Sequence, residues 1–238
     1  MLFRSERFAP GLALGASAAL VFGWAGSEFD RALFEDWGWS GGVVLVLSLG
    51  LLQALALGPC KGLQQHWSLS PAQSSQPRLV WRWISAPWIH TNGLEAGVNL
   101  LLLLIVLGAS PLQLGDVILR YCLTSLACLT LAAISADHWG VQRIWSGSAG
   151  AVSALIALAA GLSLLHGRVL LYSNGALAIP AWVLLLVYGA LQLGWQLPHQ
   201  REGETSLAWQ RLLSSSWGWG TLLGLLWALI SWLQGLLP

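Results

Sequence analysis

The sequence predicts an all-α fold, a polytopic bundle of transmembrane helices. Three observations predict it. Of 238 residues, 56% are hydrophobic and only 9% are charged, where a soluble domain carries about a quarter charged residues. Mean hydropathy is +0.66. The apolar residues fall in blocks approaching the roughly 17–25 residues that a helix needs to cross a bilayer. This composition excludes an ordinary cytosolic globule, a disordered chain and collagen. The net charge of +1, from 11 Lys+Arg against 10 Asp+Glu, leaves no basic field for nucleic acid.

A helix is the element expected in each block, because it satisfies its own backbone in lipid. Seven blocks qualify, running from about Phe8 to Gly26, Gly41 to Leu57, Leu94 to Leu107, Val117 to Ile134, Ala149 to Leu165, Ala176 to Leu193 and Leu212 to Leu233. The first resembles a signal peptide only superficially. Cleavage at Ala16-Ser17-Ala18 would fall inside the apolar run rather than after it. Two units follow: residues 1–40, a transmembrane helix with an acidic hairpin (Glu28, Asp30, Glu35, Asp36), and residues 41–238, a six-helix membrane core.

Loop charge sets the expected orientation. With the N-terminus in the cytoplasm, eight of the eleven Lys and Arg residues fall on the cytoplasmic side. The longest polar connection, Lys61 to Arg78, shows no apolar periodicity, and the segment Pro198–Ser206 reads as a solvated connector. Cys60, Cys122 and Cys128 are too few and too scattered for a disulfide framework. The five His residues lack metal-ligand spacing, so no metal is expected. Sixteen Trp against three Tyr and five Phe is a lopsided aromatic usage, and most of these Trp lie at block ends, as in an interfacial girdle.

Three separated stretches carry chemistry-related patterns. Trp81-Arg82 begins the first, with His90 eight residues beyond the Arg and Glu95 and Asn99 in the helix that follows. Gly147-Ser148-Ala149-Gly150 opens the fifth block and continues to Ala154-Leu155. Trp217-Gly218-Trp219-Gly220, then Gly224, opens the last. In this order, on the second, fourth and sixth helices of a six-span core, they resemble the rhomboid intramembrane serine proteases. The resemblance covers roughly Gly41 to Leu233, with one helix added in front. Each motif alone is weak, since Gly-x-x-x-Gly recurs wherever membrane helices approach closely. Their conjunction is more specific. The family usually places its Trp-Arg loop outside the cytoplasm, whereas the charge bias here places it inside.

The resemblance also marks what is missing. Where the family has its nucleophilic Ser, this chain has Ala149. At the general-base His position stands Trp217, whose indole donates a proton but accepts none. Glu95 replaces an oxyanion-stabilising His and would repel a developing negative charge. Only Asn99 is retained. Ser148 lies beside the lost nucleophile but is rotated about 100° around the helix axis. His90 and His138 lie in loops or at other helix ends. The resemblance therefore implies a catalytically inactive rhomboid-like protein, with no catalytic residues and no required cofactor. The alternative is a divergent intramembrane serine protease with an unrecognised nucleophile.

The remaining matches read as scaffold. Gly147, Gly150, Gly220 and Gly224 permit a tight helix crossing. Trp81 and Arg82 read as an interfacial anchor, Trp at headgroup depth and Arg at phosphates. Glu95 is an ionisable group near a span, either an acid favoured by the helix dipole or a group awaiting a partner. Inactive members of the resembled family bind transmembrane helices of other membrane proteins. The resemblance thus implies a scaffold, assembly factor or accessory subunit of a membrane complex. A pigment at His90 or Glu95, or a bound lipid, is the further open alternative. Short loops and the absence of an organelle-targeting segment point to a bacterial inner membrane.

Overall fold

The structure, a computed structural model, describes residues 13–22, 24–25, 41–60, 62–70, 73, 76–108, 114–141, 143–166, 180–196 and 207–236. The acidic hairpin and the Pro198–Ser206 segment lie outside these residues. Among the described residues every regular element is helical: α1 (Ala13–Phe22), α2 (Gly41–Leu57), α3 (Gly62–Trp67), α4 (Arg82–Ser85), α5 (Gly93–Gly108), α6 (Leu114–Trp139), α7 (Ala149–His166), α8 (Ala181–Gln196), α9 (Ala208–Leu213) and α10 (Ser216–Leu236). Two 3₁₀ turns, Pro77–Leu79 and Ala86–Trp88, flank α4.

Helices thus form in all seven apolar blocks, with boundaries shifted by packing. Three of them, α6, α7 and α10, are long and apolar enough to cross a membrane by themselves. A fourth crossing counts if Arg82–Trp88 and Gly93–Leu107 are taken as one broken span, bent by 83°. The helices α1, α2 and Ala181–Trp195 of α8 are apolar but shorter. The last block breaks at Ser214 and Ser215, because their hydroxyls bond back to Gln210 O and Leu212 O and end α9.

The seam between α7 and α10 is the most extensive helix contact in the fold. Small residues make it. A Cβ added at Gly220 would overlap Gly150 O, and one at Gly224 would overlap Ala154 O and stand 2.8 Å from Ala157 Cβ. Further along, a Cβ at Gly161 would stand 2.6 Å from Ala228 Cβ. The paired positions advance together along both helices, so α7 and α10 run parallel. The chain must therefore return between them, and α8, packed on α7, is the described helix that returns.

Two apolar cores flank this seam. One joins α2, α5, α6 and α7 through Leu45, Leu49, Leu103, Val117, Val152 and Ile156. The other seats the 67–88 segment on the second half of α6 through Leu69, Trp83, Leu129, Ala133 and Trp145. An isolated antiparallel bridge, Leu69 with Trp145, ties that segment to the residues leading into α7. Arg82 departs from the expected phosphate anchor. It is only 8% exposed, donates from Nη1 to Ser68 O at 3.1 Å, and lies over the Trp81 ring at 5.6 Å. The guanidinium turns inward because the carbonyls of residues 67 and 68 end on α4, where Ser85 Oγ also bonds Trp67 O. Trp81 itself is partly exposed.

Candidate functional site: a buried polar hub at the start of α7

The helix start after Gly147 leaves backbone N–H groups without intrahelical acceptors. His90 meets this need. Its Nε2 accepts from the Ser148 backbone N–H at 3.0 Å, so the imidazole serves where a hydroxyl or carboxylate usually caps a helix. The turn into the helix requires glycine, because Gly147 has φ +80° and an added Cβ would overlap the His90 ring. Gly147 N–H also donates to Ala86 O at 2.7 Å.

His90 is itself held on both sides. Its backbone N–H donates to Gln53 Oε1 at 2.7 Å, and its carbonyl accepts from Gln53 Nε2 at 3.0 Å. That pairing fixes α2 to the bend before α5. Asn99 Nδ2 lies 2.9 Å from His90 Nε2. Because Ser148 N–H already donates to the same nitrogen, Nε2 is the acceptor, Asn99 donates, and the ring proton resides on Nδ1.

The network continues to α8. Tyr188 Oη donates to Asn99 Oδ1 at 2.6 Å, stands 3.3 Å from Ala149 O, and accepts from Gln192 Nε2 at 3.0 Å. Glu95, one turn before Asn99, is half-buried and within electrostatic reach of Tyr188. One polar string therefore joins α2, α5, α7 and α8 inside an otherwise apolar bundle, and its members Gln53, His90, Asn99, Ser148 and Gln192 are buried. Replacing Tyr188 with Phe removes three contacts while keeping the ring. We expect a loss of about 1–2 kcal/mol, read as a lower midpoint in thermal or denaturant unfolding; an unchanged midpoint would separate α8 from the hub.

Of the residues singled out in the sequence, His90, Asn99, Ala149, Gly147 and Glu95 converge here. Gly150, Gly220 and Gly224 form the adjacent seam, and buried Trp217 opens α10 beside it. Trp81 and Arg82 lie apart, in the 67–88 segment. The expectation that His90 stands away from the α7 start is corrected: Ser148 Oγ is 3.3 Å from His90 Nε2. Ser148 points there because it occupies the cap position before the helix, not the next place on a helical wheel. Gln53, Tyr188 and Gln192 escaped sequence reading. Their signal was present as single polar groups in apolar spans, with Tyr188 and Gln192 one helical turn apart.

Two donors closer than Ser148 Oγ already fill the Nε2 lone pair, and 3.3 Å is just beyond the ordinary reach of a general base. Among the described residues no group of three or more His, Cys, Asp or Glu could hold a metal ion. No protein-family model matches the chain, and neither a curated protein nor a solved structure matches it.

Proposed function

We propose that this chain is a non-catalytic, rhomboid-like membrane protein that binds transmembrane helices of partner proteins as a scaffold, assembly factor or accessory subunit. The observation that carries the reading is the closed state of His90 Nε2, whose lone pair is committed to Ser148 N–H and Asn99. With Ala149 at the nucleophile position and Trp217 at the base position, the hub acts as a strut. It holds α5 and α8 against α7 and leaves their outer faces for binding. On α5 that face carries Leu94, Gly97, Leu101 and Leu104, all exposed and spaced by three or four residues. A Cβ at Gly97 would meet nothing, so a partner backbone can approach there closely.

The six-helix core, with α1 added in front, is part of the same proposal. So is residence in a bacterial inner membrane with the N-terminus in the cytoplasm. Purification from native membranes in mild detergent tests the central point. A membrane partner is expected at fixed stoichiometry, and Gly97→Leu is expected to weaken its retention roughly tenfold, about 1.4 kcal/mol. A wild-type protein that stays a lone monomer in native membranes would count decisively against it.

One observation favours a second reading, an intramembrane serine protease shifted by one residue. Ser148 Oγ and His90 Nε2 form the serine–imidazole pair that such a reaction uses. Fluorophosphonate labelling separates the two. The scaffold reading expects no labelling of the purified protein, whereas labelling abolished by Ser148→Ala would establish the protease.

A further inference from the structure

A small cavity lies where α6, the start of α7 and the start of α10 meet. Ser125 and Leu129 of α6, Gly147 and Gly150 at the α7 start, and Ser216 of α10 contribute to its wall. Its volume is about 10 Å³, close to the smallest space that admits one water molecule. That size excludes a phosphate, a carboxylate or a peptide carbonyl carried on a substrate.

The chemistry of the wall is unbalanced. Ser125 is 4% exposed, and its Oγ makes no well-formed hydrogen bond, its polar neighbour being the Tyr121 hydroxyl, which lies within electrostatic reach. The nearby Tyr121 hydroxyl directs its proton to Pro87 O at 2.6 Å. A hydroxyl left this way in a protein interior is costly. Opposite it stands the opposite need. The first hydrogen bond along α7 is Val152 N–H to Ser148 O, so the N–H groups of Ala149, Gly150 and Ala151 have no carbonyl one turn back to receive them. Gly150 is one of these residues, and it borders the cavity. The wall cannot close the gap with a side chain there, because a Cβ on Gly150 would stand 2.8 Å from Cys128 Cβ and 3.2 Å from Ser216 Cβ.

We infer that this cavity is a binding site for a single water molecule, bridging Ser125 Oγ to the unpaired N–H groups at the start of α7. The water accepts from the helix and donates to Ser125, so one molecule satisfies both sides. It joins α6 to the α7–α10 crossing. The site is independent of whether the hub is a strut or a dyad.

The test is water-to-amide cross-relaxation by NMR on the full chain in detergent micelles or nanodiscs. A long-lived water is expected to give a cross-peak at the Gly150 or Ala149 amide. In Ser125→Val, whose extra methyl fills the space, that peak is expected to vanish. In Ser125→Ala it is expected to weaken, with the melting temperature lowered by roughly 2–4 °C. Absence of the peak from the wild type overturns the site, whatever the melting temperatures. A peak of full intensity in Ser125→Ala overturns the role of Ser125. A melting temperature raised by Ser125→Ala does so too, since it would mean a dry hydroxyl relieved of its burial. If Ser125→Val does not fold, the wild-type peak and Ser125→Ala decide the matter.

Discussion

Replacing Gly220 with Ala is expected to destabilise the protein by about 3 kcal/mol or more, the upper range for overpacking. The added methyl would meet Gly150 O and the Ser153 side chain. A backbone carbonyl inside a helix cannot step aside as a flexible side chain can. Relief requires α10 to move off α7, which would loosen the longest seam in the fold. Gly189→Ala is the control. It makes the same chemical change on α8, where a Cβ meets nothing within 4 Å, and higher helix propensity should leave it neutral or up to ~1 kcal/mol more stable. Unfolding of both variants in mixed micelles checks the pair. If Gly220→Ala tracked Gly189→Ala, the α7–α10 contact would be looser than described.

His90→Ala is expected to cost a similar amount, about 3 kcal/mol or more. It orphans the Ser148 N–H and the Asn99 amide in a buried place and leaves a cavity the size of an imidazole. The backbone pairing of residue 90 with Gln53 does not need the ring. The loss therefore reports on the α5 and α7 connections rather than on α2. Because His90 and Asn99 share one bond, the His90→Ala, Asn99→Ala double variant should fall short of the summed single losses by ~0.5–3 kcal/mol. Additive losses, or a single variant within ~0.5 kcal/mol of wild type, would remove His90 from the centre of the network. Protonation at Nε2 is the chemical equivalent of this substitution, since an imidazolium cannot accept from Ser148 or Asn99.

The tryptophans show how far position along the chain could be read. Trp24, Trp81 and Trp209 are exposed, as a girdle requires. Trp145 stands at a block end as well, yet it is almost wholly buried, as is Trp83, two residues beyond exposed Trp81. Trp145 donates from Nε1 to Ser214 O at 3.0 Å and so fixes the break before α10, while Trp219 Nε1 bonds Ser135 Oγ at 3.1 Å and ties α10 to α6. A block end says that a residue lies near the interface. Whether its indole turns to headgroups or into the protein depends on elements distant in sequence.

The same division runs through the site. Composition and block length determined the helical, membrane-type architecture, because hydrocarbon leaves a backbone few other ways to pair its polar groups. Glycine spacing at Gly220 and Gly224 determined where two helices would meet, since only small residues permit that approach. Local sequence also determined what Ala149 and Trp217 lack as reacting groups. It did not determine the partners of His90. Gln53, Asn99 and Ser148 come from three parts of the chain up to 95 positions apart, and hydrogen bonding acts over about 3 Å. Tertiary packing alone decided that these groups meet, and with them whether His90 holds the fold or stands open to react.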